Sequence, residues 1–251
     1  MLDLSPSTQH SDASRTVLVT GGSGGIGRHL CLAFARAGWW VGVHYFTQAS
    51  EAELTLSLVS EAGGQGALFH ADIRSSLDVQ AMVEAIDRRR GRLDGLVCNA
   101  GVAGGKLVVR CQEEEWLRII DTNLTGAYHC VKAAGSSMVT HGGGSIMLIG
   151  SYAGLQGASG QGAYAASKAG LTGLMKTAAR EWGPHNIRVN LVCPGWQRTA
   201  MVEDLFHSEQ RLRDHVLNRP SNLNEIAKTI CELAQLSDVS GQIWNLDSRI
   251  L

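Results

Sequence analysis

The sequence predicts a doubly wound α/β domain, in which a parallel sheet carries helices on both faces. Short apolar strands alternate with longer amphipathic helical stretches from residue 15 to the end of the chain. The strands are apolar along their length, which is typical of parallel strands that are covered on both faces. A glycine-rich turn joins the first strand to the first helix. Because crossovers in such sheets are right-handed, ligand sites are expected outside the carboxyl ends of the strands.

Seven strands alternate with helical segments in this prediction, and two helical stretches lie between the fourth and fifth strands. The strands cover residues 16–19, 41–43, 67–69, 93–98, 145–149, 187–192 and 242–246. The helices run from the glycine turn to Ala37 and then cover residues 50–62, 76–90, 113–138 and 162–182. The chain contains no internal repeat and no proline- or serine-rich linker, so residues 15–251 are expected to form one domain. The polar residues 1–14 are expected to form a disordered tail.

Composition and charge exclude several classes of protein. With 44% hydrophobic and 18% charged residues the chain is globular, and its net charge of −1 gives no general attraction to nucleic acid or to an anionic membrane. The six cysteines are scattered without the spacing of a zinc site, so we expect no metal site and free thiols in a reducing compartment. No signal segment and no membrane-spanning apolar run is present, so a cytoplasmic location is predicted.

The glycine-rich turn has the sequence Thr-Gly-Gly-Ser-Gly-Gly-Ile-Gly. Glycine lets the backbone turn tightly and approach a pyrophosphate closely, and the N-terminus of the following helix supplies free N–H groups. Two glycine spacings fit: Gly22, Gly24 and Gly27, or Gly21, Gly25 and Gly27. The position of the turn directly after the first strand favours a dinucleotide phosphate site over an ordinary turn.

Tyr164 and Lys168 are four residues apart, so a helix places both side chains on one face. A buried ammonium beside a phenol is expected to lower the pKa of Tyr164 and to make it a usable proton donor or acceptor near neutral pH. A second Tyr-x-x-x-Lys pair begins at Tyr128. Ser151 distinguishes the first pair, because it lies 13 residues before Tyr164 and just beyond a strand, whereas Glu115 holds the equivalent position before Tyr128. Tyr128 is therefore predicted to serve packing, in the core or in an interface.

Together these features resemble the short-chain dehydrogenase/reductase family, and most closely its 3-oxoacyl-acyl-carrier-protein reductases, over residues 15–247. The resemblance implies a Rossmann-type fold and a nicotinamide cofactor. The implied catalytic residues are Asn123, Ser151, Tyr164 and Lys168. The implied cofactor contacts are Thr20, Gly21, Ser23, Gly25, Ile26, Gly27, Tyr45, Asp72, Ile73, Asn99, Ala100, Gly101, Tyr164, Lys168, Pro194, Gly195 and Thr199.

The resemblance also implies a mechanism. In the reductive direction, a nicotinamide gives hydride to a carbonyl carbon while Tyr164 donates a proton to the carbonyl oxygen. Ser151 hydrogen-bonds that oxygen and stabilises the developing charge. Lys168 tunes Tyr164 and holds the nicotinamide ribose, and Asn123 fixes a water that resupplies the proton. One departure concerns the end of the chain, Asn245-Leu246-Asp247-Ser248, which lacks the Asp-Gly-Gly common in relatives and leaves the C-terminal packing open.

NADP(H) is favoured over NAD(H) as the cofactor. Tyr45 holds the position where an NAD enzyme usually carries an acid for the ribose 2′-OH, so nothing there repels a 2′-phosphate. No Arg or Lys lies in this segment, so Thr47 and His44 are the expected donors to such a phosphate.

A substrate lid and a homotetramer are further expectations. Residues 196–215 would form the lid, with His207 and His215 on its surface. The resemblance implies a homotetramer, with a dimer as the alternative, built on the helices at 113–138 and 162–182. The second of these carries small residues that allow close helix contact: Ala165, Ala166, Ala169, Gly170 and Gly173.

Three functions compete. The leading hypothesis is a reductase of 3-oxoacyl thioesters, and the alternative is a dehydrogenase of small or cyclic secondary alcohols. A third possibility, from another class, is a non-catalytic NAD(P)-sensing protein, against which the complete set of catalytic residues argues. In the resembling reductases, basic residues in the turns before the fifth and sixth strands dock the acidic carrier protein. Here those turns, residues 140–144 and 183–186, contain no Lys or Arg, so the carrier is expected to add little.

Overall fold

A computed structural model describes residues 14–195 and 215–250. Its centre is a seven-stranded parallel sheet with the order β3-β2-β1-β4-β5-β6-β7. The strands are β1 (Thr16–Val19), β2 (Trp40–Tyr45), β3 (Gln65–His70), β4 (Gly95–Cys98), β5 (Gly144–Ile149), β6 (Ile187–Cys193) and β7 (Ile243–Asn245). The strand order reverses between β1 and β4, which is where a doubly wound sheet opens a crevice for a ligand.

Helices cover both faces of this sheet. They are α1 (Gly25–Arg36), α2 (Ala49–Glu61), α3 (Ser76–Arg90), α4 (Glu113–Ile120), α5 (Gly126–Thr140), α6 (Tyr152–Gln156), α7 (Gly162–Trp182) and α8 (Leu223–Leu233). One buried cluster joins α3, α5 and α7 to the sheet, and the other joins α1, α2 and α8 to its opposite face. Within β1, Leu18 belongs to the first cluster while Val17 and Val19 belong to the second. The doubly wound α/β prediction is therefore confirmed.

The predicted helical region over residues 113–138 is interrupted. A π-helical turn, Asp121–Thr125, separates α4 from α5 and carries the buried Asn123 at its centre. Such a turn adds one residue to the helical ladder and often marks a functional position. Hydrophobic periodicity does not reveal it, because the apolar face continues on both sides.

Two helices were not predicted, α6 and α8. The second begins after Asn222, whose side-chain oxygen accepts hydrogen bonds from the backbone N–H groups of Asn224 (2.9 Å) and Glu225 (3.3 Å). An Asn at an N-cap with an acid in the first turn is a sequence signal that identifies this start. The other predicted strand and helix ends agree with the structure within two residues. No helix within residues 14–195 and 215–250 combines the length and apolar character that crossing a membrane requires.

Candidate active site

The glycine-rich turn after β1 is fixed to the end of β4, across the point where the strand order reverses. The Asn99 side-chain amide donates to the backbone oxygens of Thr20 and Gly21, at 3.0 Å each. The Thr20 hydroxyl accepts in return from the backbone N–H groups of Asn99 (3.0 Å) and Ala100 (3.1 Å). Thr20 and Asn99 therefore shape the loop from inside.

The backbone selects one of the two glycine spacings. Gly21 and Gly25 have φ angles of +63° and +51°, a region that disfavours residues with a side chain. A Cβ on Gly27 would overlap the backbone oxygen of Gly21. Gly24 has an extended backbone and open space around it, so nothing at this position demands glycine. The spacing that matters is Gly21, Gly25 and Gly27.

The loop fits the pyrophosphate of a dinucleotide. Gly24 is the N-cap of α1 and no side chain caps this helix end, so the first N–H groups of α1 are available to an anion. Ser23 is almost fully buried, and its hydroxyl lies 3.3 Å from Gln48 Oε1. Ile26 packs against the core cluster beneath the loop. A tight glycine turn with uncapped N–H groups is what close approach to a pyrophosphate requires.

His44 holds this loop in place, and the hypothesis that it donates to a 2′-phosphate is wrong. Its side chain is 2% exposed, and Nδ1 accepts from the Gly21 N–H at 3.0 Å. The proton therefore lies on Nε2, which donates to the Ala71 oxygen at 3.0 Å. The backbone oxygen of His44 also accepts from Gly22 N at 2.8 Å. Burial lowers the pKa of His44 to about 4, so the ring is neutral and both nitrogens are occupied.

The predicted cofactor contacts Tyr45, Asp72 and Ile73 lie at the end of β2 and just after β3. The Asp72 carboxylate is paired with Arg74, with 2.6 Å between Oδ2 and Nη2, and this hydrogen bond lowers the pKa of Asp72. Ile73 is buried in the core beneath. Tyr45 is half-buried, and its ring lies 5.4 Å from that of His70. A ribose or adenine bound here would therefore meet an acid whose position Arg74 already fixes.

Ser151, Tyr164 and Lys168 come together beyond the carboxyl end of β5. Ser151 is the N-cap of α6, and its Oγ accepts from the backbone N–H of Ala153 at 3.2 Å. The same side chain acts on the Tyr164 hydroxyl and lowers its pKa, against the larger effect of burial. Lys168 lies one turn further along α7, with Nζ 5.8 Å from the centre of the Tyr164 ring. Nζ donates to the Ile149 oxygen at 2.8 Å, so the last residue of β5 anchors the ammonium.

The pKa of Tyr164 differs in direction from the sequence-based expectation. Burial raises it, although the hydrogen bond from Ser151 acts in the opposite direction. Burial also lowers the pKa of Lys168 to about 8, while the neighbouring thiols of Cys193 and Cys98 oppose that shift. Lys168 is thus partly neutral near pH 8 and directs its Nζ to a carbonyl, which explains why it does not lower the pKa of the phenol in this state.

Asn123 supports the same cluster from the π-helical turn. Its Oδ1 accepts from the Val102 N–H at 2.7 Å, and its Nδ2 donates to the Val102 oxygen (2.9 Å) and to Ser167 Oγ (3.1 Å). Ser167 in turn donates to the backbone oxygen of Tyr164 at 2.7 Å. A Cβ on Gly101 would lie 3.0 Å from Asn123 Oδ1, so glycine keeps this corner open. Both Nδ2 hydrogens of Asn123 are therefore donated within this corner.

Other predicted positions have mixed outcomes. Pro194 and Gly195 follow β6 at the same edge of the sheet, and Gly195 has a φ angle of +77°. Thr199 and the rest of the predicted lid through residue 214 lie outside the described residues.

Two side chains lie in other environments than the sequence suggested. His215 is 2% exposed and pairs with Arg249 in an isolated antiparallel bridge, so its assignment to the surface is wrong. Tyr128 is 43% exposed on α5, which excludes the core.

Comparison with known proteins agrees with this geometry. A family model described as short chain dehydrogenase matches residues 15–210. A 3-oxoacyl-[acyl-carrier-protein] reductase, FabG, from Staphylococcus aureus is 36% identical over 223 residues, which cover 88% of this chain and 91% of the relative. A 3-oxoacyl-[acyl-carrier-protein] reductase from Synechocystis sp. is 35% identical over 241 residues, covering 95% of this chain and 97% of the relative.

Solved structures show the same architecture. A short-chain type dehydrogenase/reductase from Mycobacterium marinum superposes with a TM-score of 0.89 at 32% identity, covering 94% of this chain and 96% of the other. A single-site variant of actinorhodin polyketide ketoreductase, solved with NADPH, superposes with a TM-score of 0.88 at 30% identity and the same coverage. The chain therefore belongs to the short-chain dehydrogenase/reductase family of nicotinamide-dependent oxidoreductases.

Proposed function

We propose that this chain reduces the carbonyl group of 3-oxoacyl thioesters with NADPH as the hydride donor. The observation that carries the proposal is the cluster of Ser151, Tyr164 and Lys168 at the edge of the sheet where the glycine loop presents uncapped N–H groups. Relatives named 3-oxoacyl-[acyl-carrier-protein] reductase, at 35–36% identity, favour this substrate class over other carbonyl compounds.

The proposed chemistry follows from what each side chain can do. A nicotinamide, when bound, supplies the hydride for the carbonyl carbon. Tyr164 donates the proton to the carbonyl oxygen, since its pKa lies above the ordinary value and it is protonated at neutral pH. Ser151, whose side chain acts on the pKa of Tyr164, donates a hydrogen bond to the same oxygen and stabilises its developing charge.

Lys168 and Asn123 have supporting roles in this proposal. Lys168 holds the cofactor ribose and, when charged, assists reprotonation of Tyr164. Both Nδ2 hydrogens of Asn123 are donated elsewhere, and a water that resupplies the proton would be held by backbone groups of the π-helical turn. The residues that hold the pyrophosphate would be Gly21, Ser23 and Gly25, with Pro194, Gly195 and Thr199 at the nicotinamide end.

The substrate proposal is tested by turnover on a small panel. NADPH oxidation is followed with acetoacetyl-coenzyme A, a small acyclic ketone and a cyclic ketone. Reduction of the thioester with the highest kcat/KM supports the proposal. Faster turnover of the cyclic or small ketone would favour a secondary alcohol dehydrogenase. Tight binding of NADPH with no hydride transfer to any member of the panel would favour a cofactor sensor.

The choice of NADPH rests on charge at the end of β2. Tyr45 stands where an acid would repel a 2′-phosphate. His44 is occupied, so Ser23, Thr47 and Gln48 are neutral donors near this strand end, and Arg74 is a nearby cation, with its central carbon 5.7 Å from the centre of the Phe46 ring. Titration of both reduced cofactors tests this choice, and tighter binding of NADH would overturn it.

A variant of the glycine loop tests whether the loop binds the cofactor. Gly27→Ala should weaken the binding of either cofactor about tenfold or more, since the added Cβ overlaps the loop. Gly24→Ala is the matched control and should bind within about threefold of wild type, because its backbone is extended and its surroundings are open.

A further inference from the structure

The chain after β7 folds back across the active-site edge of the sheet. Leu246 N donates to the Cys193 oxygen at 2.9 Å, at the end of β6. Asp247 then packs directly against Gly195, where an added Cβ would overlap the Asp247 side chain. Ser248 accepts from the backbone N–H of Val216 at 3.1 Å, just beyond the predicted lid. Residues 246–250 therefore contact several segments around the proposed site.

A buried ion pair lies within this C-terminal segment. The Asp247 carboxylate is fully buried and pairs with the guanidinium of Arg249, whose side chain is 16% exposed. Arg249 Nε lies 2.7 Å from Asp247 Oδ2, and the Arg249 backbone N–H donates to Oδ1 at 2.9 Å. Asn245 Nδ2 also donates to the Arg249 oxygen at 3.0 Å. A buried ion pair is weak evidence for stability, because desolvation offsets its attraction, but it fixes geometry strongly.

The same guanidinium contacts the residue that follows the catalytic serine. Its central carbon lies 4.1 Å from the centre of the Tyr152 ring, within the range of a cation–π interaction. The Tyr152 hydroxyl donates to the Ile250 oxygen at 3.2 Å, so both ends of its side chain meet the C-terminal segment. Tyr152 is the first residue of α6, the helix that Ser151 caps. Arg249 thus links two segments of the site. It pairs with Asp247, which packs against Gly195, and it contacts Tyr152, which follows Ser151.

We propose that Arg249 is a positioning residue, and that the clamp Asp247–Arg249–Tyr152 holds Ser151 in the orientation in which its hydroxyl can donate a hydrogen bond to the substrate oxygen. The inference rests on the proposed function, because it assigns Ser151 to the carbonyl oxygen. Its physical basis is that displacement of a catalytic group by about 1 Å can reduce turnover about a hundredfold. The clamp acts on Ser151 through the backbone, so it should affect kcat more than binding.

Turnover of four variants tests the clamp. Arg249→Met and Tyr152→Leu should each lower kcat about tenfold or more, while KM and the NADPH dissociation constant change less than about threefold. Arg249→Lys should recover part of the loss, because it keeps the cation over the ring but loses the forked contact to Asp247. Arg88→Met is the matched control, since Arg88 is 70% exposed and pairs with Glu84 on the surface of α3, and it should behave as wild type.

Two further measurements separate positioning from general damage. The double variant Arg249→Met/Tyr152→Leu should be no slower than the worse single variant, because both substitutions remove the same contact, that between Arg249 and the Tyr152 ring. Deuterium exchange at the amides of Gly154 and Gly157, which hydrogen-bond within α6, should rise in Arg249→Met and stay unchanged in Arg88→Met. This readout needs no turnover, so it tests the clamp even if the variant or the wild-type protein reduces no ketone.

The outcomes are distinguishable. A wild-type protein that transfers no hydride would refute the proposed function, and the exchange experiment would then decide on the clamp. An active wild type with unchanged kcat in Arg249→Met, or with unchanged exchange in α6, would refute the clamp alone. The clamp would also be overturned if the losses in the double variant were fully additive. An equal loss of NADPH affinity and kcat in both single variants would overturn it too, because it would show general destabilisation.

Discussion

The sequence contains two Tyr-x-x-x-Lys pairs of the same spacing, and they differ in how deeply their side chains are buried. Tyr128 is 43% exposed on α5 and Lys132 is exposed beside it, whereas Lys168 is 6% exposed and lies against the Tyr164 ring. In the sequence, Ser151 distinguished the pair of Tyr164 and Lys168, because it precedes that pair and follows a strand at the edge of the sheet where sites form. The direction of the Tyr164 pKa was not predictable from spacing, because it depends on how much water the surrounding protein removes.

Tyr164→Phe should therefore lower kcat about a thousandfold, since it removes the proton donor, with little change in the NADPH dissociation constant. Tyr128→Phe should leave kcat unchanged, because its hydroxyl lies on an exposed face of α5. Steady-state rates and cofactor titrations on both variants give the answer. If Tyr128→Phe were the inactive protein, the assignment of the site would be wrong.

A second prediction concerns the contribution of His44 to the free energy of unfolding, and how that contribution depends on pH. Its folded pKa of about 4 lies below the ordinary value of 6.5, because the buried ring is held neutral. The unfolded chain therefore takes up a proton first as the pH falls, and stability contributed by His44 is lost between about pH 6.5 and pH 4. Near pH 5 the loss amounts to about 2 kcal/mol.

The His44→Asn variant removes this titration. Between pH 7.5 and pH 5 the wild type should lose about 2 kcal/mol more of its unfolding free energy than His44→Asn, at matched protein concentration. Denaturant melts at several pH values measure it. Parallel curves for the two proteins would mean that the ring is not held neutral in the folded state. The result would also bear on the glycine loop, because the same ring accepts from Gly21.

At the scale of elements, most strands and helices followed from apolar patterning, and the exceptions have physical causes. The π-helical turn at Asn123 leaves the apolar face unbroken, so periodicity does not reveal it. The capping role of Ser151 for the five-residue α6 depends on tertiary contacts, since so short a helix has little intrinsic stability. His44 was misassigned because only the structure shows that β2 turns its ring towards the loop rather than towards solvent.

The turns before β5 and β6, residues 140–144 and 183–186, do not lie beside the proposed site of the same chain. They contact each other, with Gly144 N donating to the Asn186 oxygen at 3.2 Å, and they lie at the amino ends of these strands. Ser151 follows the carboxyl end of β5, so within one chain these turns are at the opposite edge from the proposed site. Arg188, the second residue of β6, is half-buried and donates to the Ala234 oxygen at 3.2 Å, so it adds no free cation to this surface.

Acyl carrier protein should accordingly add little to catalysis. Neither turn carries Lys or Arg, so no basic surface is presented there to steer an acidic partner. Acetoacetyl-coenzyme A and the same acyl group on carrier protein should react with similar kcat/KM at low and at moderate salt. A carrier-bound substrate about a hundredfold better, with a steep loss on adding salt, would show that docking exists.

At the scale of the whole molecule, α4, α5 and α7 present surfaces that suit contact with other copies of the chain. Exposed apolar residues lie on the first two helices, namely Trp116 (41%), Leu117 (47%), Tyr128 (43%) and Val139 (38%). On α7, Ala169 and Gly173 are exposed, and a Cβ on Gly173 would meet nothing in the described chain. Small exposed residues let a second helix approach closely, and apolar exposed ones gain from burial there.

We predict a homotetramer, with a dimer as the next alternative, and expect Gly173→Arg to dissociate it. An arginine there has room within one chain but would project into a helix packed on α7. Gly183→Arg is the matched control, because that glycine is also exposed, has open surroundings and ends the same helix. Light scattering at micromolar concentration should give about four times the 26.8 kDa of one chain for the wild type and for Gly183→Arg, and a smaller mass for Gly173→Arg. A wild-type mass of one chain would refute the assembly, and a tetramer unaffected by Gly173→Arg would move its interface away from α7.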